Sequence, residues 1–341
     1  MKLDWKKWLP YLVAIVVFIG IALAYCSPIL EGKVLYAGDT MNWKGDANEV
    51  LEYKRTTGET SWWTNSLFGG MPTYQITGTL PSGEIKEAFS NVIHLNFTNN
   101  FTVIGILFAY FCGFFLMLIC FGVNPWLSIV GALAIGMSSY FFLIIPAGHI
   151  TKAFAIGTLA PMIGGLYAIM NRKIWLGVPM LLIYGWLGIT FHPQMTYYIG
   201  LLIGVLFFVS LYENLKEKQY KNLGIILGTL IICALLLFGT KISWWKMNQS
   251  YLAETMRGGH SELTQLNKEA PEEGLDIKYA TDWSYGKGET MTLLIPNWEG
   301  GASGYNIGKD SELCKTMRKQ GVPKRDAEQF CKSTPNYNGE K

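Results

Sequence analysis

A few charged side chains that could carry out chemistry lie beside long apolar segments of this sequence. Asp39 follows the first apolar segment closely, in the stretch VLYAGDTMNWKGD. A carboxylate beside a membrane segment is costly unless it faces water or a partner, so it is a candidate for function. It could act as a general base towards a substrate hydroxyl. The alternative is structural, because Gly-Asp-Thr also suits a turn or the start of a helix.

A second pair of candidates lies in the stretch GHITK, between two later apolar segments. His149 and Lys152 are three positions apart, so one helical turn would align them. Together they could stabilise a phosphate, or a phosphate-like leaving group, by positive charge and hydrogen bonds. The alternative is a solvated loop in which the lysine reaches the lipid headgroups. Lys152 is the only charged residue of this short loop, which favours function.

Aromatic and amide side chains form a third group of candidates, for substrate binding. His192 and Gln194 lie in the stretch FHPQMTYY, and Trp62, Trp63 and Tyr74 lie in the stretch SWWTNSLFGGMPTYQ. Aromatic faces suit sugar rings and lipid headgroups alike. The alternatives are that such residues anchor the ends of spanning helices, or pack a loop onto the membrane.

The composition indicates a membrane protein with a water-exposed portion. Half of the 341 residues are hydrophobic and 16% are charged, whereas a soluble chain carries about 25% charged residues. Charged residues are scarce between 101 and 212 and dense after 241. The net charge is +3 and no long basic run occurs, which argues against nucleic acid as a partner.

Seven apolar segments approach the roughly 20 residues needed to cross a bilayer. They are 8–29, 101–122, 126–145, 154–170, 174–190, 195–211 and 223–240. We therefore predict an α-helical polytopic membrane protein with about seven transmembrane helices. Its transmembrane domain covers 1–240, including a long first outer loop at 30–100, and an extracytoplasmic segment covers 241–341.

The distribution of lysine and arginine predicts the orientation in the membrane. Lysines precede the first apolar segment, and the loops 171–173 and 212–222 are also basic. If these parts are cytoplasmic, so is the N-terminus, and the long first loop lies outside together with the short loops at 146–153 and 191–194. Asp39 then shares the extracytoplasmic face with all four histidines of the chain, which are His94, His149, His192 and His260.

Two helices are predicted in the long outer loop. Apolar residues recur at helical spacing between 83 and 96, which predicts an amphipathic helix in the membrane interface. A helix packed on the loop's own core is the alternative. Further upstream, Asp46 followed by Glu49 fits the capping box that begins a helix.

The portion after 241 is predicted to be a small mixed α/β segment. A Gly-Lys-Gly turn before TMTLLI predicts strand pairing. The stretch SELCKTMRKQGVPKRDAEQFCK predicts two short helices broken at 321–323. Cys314 and Cys331 would lie on these helices. An extracytoplasmic location permits a disulfide between them, and two unrelated free thiols are the alternative.

Five stretches together resemble the YfhO-like membrane proteins of Bacteroidetes-type bacteria, which belong to the GT-C class of membrane glycosyltransferases. The stretches are GDT, WTNSLFGGMPTYQ, AGHITKAFAIG, HPQMTYY and WSYGKGETMTLLIPN. The resemblance implies a GT-C-like fold in the bacterial cytoplasmic membrane, an active site on the outer face, and further helices in a longer parent protein. It also implies a sugar donor on polyprenyl phosphate and an acceptor that is a cell-envelope polymer or lipid.

The same resemblance implies roles for individual residues. An acidic residue in the first outer loop is the key group of this class, and Asp39 is the matching position. It would serve as a base or hold a divalent metal, for which Asp46 and Glu59 are the other outer-loop acids to consider. The chemistry of such a reaction, apart from the resemblance, needs positive charge at the departing phosphate, which Lys152 and His149 could supply. If displacement is direct, the anomeric configuration inverts.

Two other functions stay open at this point. A transporter or lipid flippase would need ionisable residues near the bilayer midplane and discontinuous helices, and the predicted helix centres hold almost no charge. A non-catalytic envelope assembly protein on an inherited glycosyltransferase fold is the third possibility, because a fold does not guarantee chemistry.

Overall fold

The structure is a computed structural model of the chain. It describes residues 5–77, 81–93, 95, 102–189, 192–252, 255, 277, 281–282, 284, 286–295, 298 and 308–333. His94 and His260, which the sequence assigned to the outer face, lie outside the described residues. The chain divides into two compact units, Met1–Ile242 and Ser243–Lys341.

The first unit is built almost entirely from helices. They are α1 (Trp5–Tyr25), α2 (Ser27–Leu30), α3 (Gly38–Thr57), α4 (Pro81–Ile93), α5 (Thr102–Cys120), α6 (Pro125–Gly136), α7 (Ser139–Ala147), α8 (Ile150–Met170), α9 (Ile174–Gly188), α10 (Pro193–Lys216) and α11 (Tyr220–Gly239). Between α3 and α4, β1 (Trp63–Thr64) pairs antiparallel with β2 (Met71–Pro72), and a 3-10 turn follows at Thr73–Gln75.

Five described helices are long and apolar enough to cross a membrane, namely α1, α5, α8, α10 and α11. The helices α6 and α7 are bent by 49° at the break between them, and they make a sixth span if they count as one. With 15 residues, α9 is about 22 Å long, short of the ~30 Å hydrocarbon core. The structure is thus compatible with a membrane protein of five or six spans, and seven stays a prediction.

Close contacts between glycines allow the central helices to pack tightly against each other. A Cβ on Gly113 of α5 would lie 2.1 Å from the carbonyl oxygen of Gly157 on α8, and one on Gly165 would lie 2.7 Å from that of Gly177 on α9. In lipid, such close packing of small residues is a main source of helix association. The helix α8 is consequently almost wholly buried between α5 and α9.

The bundle has two ends, which we name by one residue each. The Asp39 end is where α3 and α8 begin, and the Arg172 end is where α8 finishes. Since α8 has 21 residues, these ends are about 30 Å apart. The short α9 returns the chain to the Asp39 end, α10 leads it away again, and α11 brings it back.

Apolar side chains cover the outside of α10 and α11. Examples are Leu201 and Phe208 on α10 and Leu235 on α11, all of which are exposed. Exposed tryptophans stand at the starts of α1, α6 and α9, all at the Arg172 end: Trp5, Trp8, Trp126 and Trp175. This arrangement is typical of lipid-facing helices with an interfacial aromatic belt.

The helix predicted to begin at Asp46 begins at Gly38 instead. Asp46 lies inside α3, so the expected capping box is wrong. The reason is that Glu49 has other partners: its Oε2 accepts hydrogen bonds from the hydroxyls of Thr64 (2.5 Å) and Ser66. These hydrogen bonds lower the pKa of Glu49 and fasten the β1 strand to α3.

The helix predicted between 83 and 96 is confirmed as α4. The Phe89 ring lies 5.8 Å from the ring of Trp186, near the end of α9, so α4 packs on the bundle at the Asp39 end. Ile85 and Val92 on the same helix are exposed. Packing therefore covers only part of the apolar face, and a location in the membrane interface stays a prediction.

The second unit contains short helices in its described residues. They are α12 (Ile242–Tyr251), a 3-10 helix (Glu289–Leu293), α13 (Glu312–Lys319) and α14 (Lys324–Ser333). The strand predicted for TMTLLI is wrong, because the 3-10 helix occupies that stretch. The Glu289 carboxylate accepts a hydrogen bond from the backbone N–H of Gly286 at 2.6 Å, which ties the Gly-Lys-Gly turn to the 3-10 helix.

The two helices predicted near the end of the described chain are confirmed as α13 and α14. Cys314 and Cys331 are buried where these helices meet, and both are free thiols. Burial, followed by the neighbouring Cys331 thiol, raises the pKa of the Cys314 thiol. The disulfide between them stays a prediction.

Candidate functional site

Asp39 lies in the first turn of α3. The first backbone N–H groups of a helix have no partner within the helix, so a negative charge is favourable at this position. The side chain is 61% exposed, and a substrate can therefore reach the carboxylate.

A glycine turn brings a second segment against Asp39. Gly148 ends α7 in the left-handed conformation, with φ of +95°. A Cβ atom there would lie 2.8 Å from the Cβ of Asp39 and 3.0 Å from the backbone nitrogen of Thr40. Only glycine fits this combination of positive φ and close approach without strain. The turn between α7 and α8 thus rests directly on the first turn of α3.

His149, the next residue, pairs with the carboxylate. Its Nε2 lies 3.2 Å from Oδ2 of Asp39, and its side chain is 46% exposed. A surface contact this exposed between an imidazole and a carboxylate contributes little to folding stability. What the pair provides is a fixed position for two chemically active groups at a surface open to solvent.

Lys152 lies one turn further along α8, as its spacing from His149 predicts. Its Nζ is 5.2 Å from the centre of the Tyr140 ring, within the range of a cation–π contact. Tyr140 belongs to α7, so both helices of this hairpin contribute to the position of the ammonium group. The side chain of Lys152 is half-buried.

His192 completes the group from a third direction. It stands at the N-cap of α10, where its Nδ1 accepts a hydrogen bond from the backbone N–H of Met195 at 3.4 Å. Its pKa is lowered by burial first, and then by the positive charges of Lys152 and His149. This electrostatic coupling indicates that His192 faces Lys152 and His149 from the start of α10, and we group it with Asp39, His149 and Lys152 as one candidate cluster.

The hydrogen bonds of the described residues do not connect the other predicted substrate-binding residues to this cluster. Gln194 donates to the hydroxyl of Tyr198 on its own helix, at 2.7 Å. Trp62 precedes β1 and Trp63 lies in it, and both side chains are exposed. Hydrogen bonds to Glu49 fasten this hairpin to α3. That residue is ten positions, or about 15 Å, along α3 from Asp39.

Tyr74 lies closer along the chain to the cluster. It is half-buried in the 3-10 turn, and the carbonyl of Ile76, two residues on, accepts a hydrogen bond from the indole N–H of Trp43 at 2.9 Å. Trp43 is one helical turn from Asp39. Of the three aromatic candidates, Tyr74 is therefore on the segment anchored nearest to the carboxylate.

The described part of the chain shows no cluster of side chains that could together bind a metal ion. There, no group of three or more His, Cys, Asp or Glu side chains is close enough to hold a metal ion. Asp46 is seven positions from Asp39, about 10 Å along α3, and Glu59 lies beyond the end of that helix. A metal at Asp39 would need ligands other than these two acids.

Two residues that sequence reasoning missed shape the cluster. Tyr140 holds Lys152 through its ring, and Gly148 allows the close approach to Asp39. The glycine directly before His149 was a visible signal, because glycine commonly ends a helix in the left-handed conformation. Tyr140 gave no such signal within an aromatic-rich apolar run.

Comparison of the chain with protein-family models, with curated proteins and with solved structures finds no match in any of the three. The YfhO-like resemblance therefore stays a prediction, and the residues of the cluster are the basis of the proposed function.

Proposed function

We propose that this chain is a GT-C-type membrane glycosyltransferase. It moves a sugar from a polyprenyl-phosphate donor to a cell-envelope polymer or lipid, on the extracytoplasmic face of the bacterial cytoplasmic membrane. The observation that carries the proposal is the 3.2 Å contact between Asp39 and His149, with Lys152 one turn along α8 and His192 electrostatically coupled to both His149 and Lys152. A carboxylate and several cationic or imidazole groups at one end of an apolar bundle are the groups that this chemistry needs.

The carboxylate acts on the acceptor. As the acceptor hydroxyl oxygen bonds to the anomeric carbon, its proton passes to Asp39, which is a general base in this step. The bond from the anomeric carbon to the phosphate oxygen breaks, and its electron pair leaves with polyprenyl phosphate. Attack opposite the leaving group inverts the anomeric configuration, by the same logic as base-assisted attack in inverting glycosidases.

The cationic groups act on the donor. Negative charge grows on the phosphate as the sugar departs, and fixed positive groups aimed at that charge stabilise the transition state. Lys152 supplies an ammonium group, and His149 supplies a hydrogen-bond donor between the carboxylate and the phosphate. His192, with its lowered pKa, supplies a neutral imidazole near neutral pH.

Transport is the second candidate, and one observation favours it. The 49° break between α6 and α7 is the kind of discontinuous helix from which transporter sites are built. Against it, the sequences of α5 to α9 contain a single charged residue, Lys152, which lies near one end of α8. A non-catalytic assembly role is the third candidate, and it predicts neither transfer nor uptake.

An assay in detergent micelles separates these candidates, because micelles have no compartments and cannot report transport. Purified protein is incubated with a radiolabelled sugar on polyprenyl phosphate and with an envelope extract as acceptor. We expect the label to move from the lipid to the acceptor. If the label stays on the lipid and liposomes containing the protein take up substrate, the transporter is correct; if neither occurs, both proposals fail.

A further inference from the structure

The hairpin of α13 and α14 in the second unit contains two buried thiols that the proposed transfer does not use. Cys314 on α13 and Cys331 on α14 are both fully buried, and they share one small apolar cluster with Ala327. They are the only cysteines in the sequence of this unit, because the other four of the chain lie in the first unit. Within the unit, each can form a disulfide only with the other.

The turn between the two helices makes them antiparallel neighbours. Gly321 has a φ of +89°, and its backbone N–H donates to the carbonyl of Arg318 at 3.1 Å. The backbone N–H of Val322 donates to the carbonyl of Met317 at 3.0 Å. These two hydrogen bonds form the Schellman motif, which ends a helix at a glycine. Since only four residues separate α13 from α14, the second helix folds back along the first.

A hydrogen-bonded ion pair fixes which residues of the two helices face each other. Arg318 donates to the carboxylate of Glu328 at 2.7 Å, and both side chains are mostly buried. Cys314 precedes Arg318 by four positions, and Cys331 follows Glu328 by three. Each step leads one helical turn away from the loop on the same face, so the two cysteines reach the same level of the hairpin. Cα atoms of the two helices come within 8 Å of each other.

The apolar core described for this hairpin is small. It consists of the two cysteines and Ala327, with Met317 and Val322 packed against them. Helices of 8 and 10 residues are too short to be stable in water by themselves, and a core of this size is commonly supplemented by a covalent link. The short side chains of the cluster also suit a disulfide, which needs Cα atoms about 4.4–6.8 Å apart.

We propose that Cys314 and Cys331 form a structural disulfide that closes the α13–α14 hairpin in the extracytoplasmic compartment. The oxidant is a protein disulfide of that compartment. One cysteine thiolate attacks it to form a mixed disulfide, and the other thiolate then displaces the oxidant. Two hydrogen atoms pass in total from the cysteines to the oxidant, which leaves with two thiols. The choice of compartment rests on the predicted orientation of the chain.

Burial determines when this bond forms. Both thiols are inaccessible in the closed hairpin, and burial, followed by the neighbouring Cys331, raises the pKa of the Cys314 thiol. Because the thiolate is the reactive form, a hairpin that closes while reduced should oxidise slowly. Oxidation therefore takes place while the hairpin is open, and closure then shields the disulfide from reductants.

Peptide mapping of the full chain from cells tests the disulfide directly. Cells that carry the protein in their membrane are quenched in acid, which stops thiol exchange by protonating thiolates. Free thiols are then blocked with N-ethylmaleimide in denaturant. Trypsin places the two cysteines in separate peptides, DSELCK (310–315) and DAEQFCK (326–332). We expect these peptides to be joined in most molecules and to separate on reduction. Two blocked peptides, or either cysteine joined to a different partner, would overturn the proposal.

Hydrogen exchange of the full chain in micelles tests whether the bond holds the hairpin closed. A disulfide that closes a loop of this size lowers the open population on the order of a hundredfold, and amide exchange reports that population. We therefore expect the amides of α13 to exchange on the order of a hundredfold faster in Cys331→Ala by this estimate. Wild type from cells grown with dithiothreitol should exchange equally fast, although its packing is unchanged.

Cys120→Ala is the matched control, because it removes a buried thiol from α5 in the first unit. It should leave the exchange of α13 as in wild type. If reduced wild type and Cys331→Ala also exchange like oxidised wild type, the bond does not hold the hairpin and the structural role is overturned. Neither measurement involves sugar transfer, so the outcome is independent of the proposed glycosyl transfer.

Discussion

The two ends of the helical bundle use polar residues in opposite ways. At the Asp39 end, the side chains of Asp39 and His149, which contact each other, are about half exposed. At the Arg172 end, polar side chains are paired and partly buried. Arg172 donates to Asn222 at 2.6 Å and to Gln219 at 2.7 Å, and Asn222 donates to Asn214 at 2.5 Å. One end leaves charged groups accessible, whereas the other uses them to join two loops.

This difference separates residues that serve chemistry from residues that serve the fold. Asn214 and Asn222 are both 8% exposed, so removing a partner would leave a buried amide without a hydrogen bond, which is costly. Asp39 has no such burial, so its removal should cost little stability. Substitutions at the Asp39 end should therefore reduce activity, whereas substitutions at the Arg172 end should reduce stability.

The largest effect is expected for Asp39→Asn. The amide keeps the shape of the side chain but cannot accept the acceptor's proton, so we expect the transfer rate to fall by about 10²–10⁴. Thermal unfolding should stay close to wild type. Asp46→Asn, on the same helix and two turns away, is the control and should transfer normally. Full activity in the Asp39 variant would remove the mechanism.

The next effect is expected for Gly148→Ala. The added Cβ would lie 2.8 Å from the Cβ of Asp39, so the turn must move away and carry His149 with it. Misplacement of about 1 Å can cost about 10²-fold in rate, and we expect a tenfold to hundredfold loss of transfer by this estimate. The measurement is transfer per folded molecule.

Gly58→Ala is the matched control for that substitution. Gly58 also has positive φ, +77°, but nothing lies within 4 Å of the position of its Cβ. It should share the backbone strain of about 1–2 kcal/mol and keep the transfer rate. Equal loss of transfer in both glycine variants would show that strain alone, and not the contact with Asp39, explains the effect.

At the other end, Arg172→Met should reduce stability without acting on the chemistry. The change leaves Asn222 and Gln219 without their charged donor, and we expect a loss of about 1–3 kcal/mol in the free energy of unfolding. Chemical denaturation in micelles measures it. Lys221→Met, an exposed change next to Asn222 in the first turn of α11, is the control. If Arg172→Met lowers transfer per folded molecule, the two ends are not functionally separate.

The smallest effect is a shift in the titration of His192. Burial and the charges of Lys152 and His149 lower its pKa, so Lys152→Met should raise that pKa towards the ordinary value. In the folded protein His192 then becomes protonated at a higher pH than in wild type. Histidine-selective NMR can follow this, because the chain has four histidines. An unchanged titration would show that Lys152 does not face His192.

The sequence predicted the meeting of these groups better than it predicted local structure. Counting apolar segments places Asp39, His149 and His192 after alternate crossings, and the helices return each of them to the same end. That inference needs only the positions of the segments, because hydropathy is averaged over many residues. It holds even though α9 is shorter than a full span.

The predictions of local features were wrong where tertiary contacts override the preferences of individual residues. Asp46 and Glu49 fit a capping box, but Glu49 is used by the hydroxyls of Thr64 and Ser66 instead. The break between α6 and α7 was missed because the segment 126–145 was taken as one apolar span across Gly136, Met137 and Ser138. The hairpin next to Trp62 is held by Glu49, which is ten positions along α3 from Asp39. No sequence pattern indicated that the hairpin is attached so far from Asp39.

The most direct test of the central claim is a structure of the protein with a polyprenyl phosphate analogue bound. We predict that the phosphate lies beside Lys152 and His149, with the oxygen that would carry the sugar facing Asp39. A phosphate found at the Arg172 end, or an analogue bound with no contact to this cluster, would contradict the account.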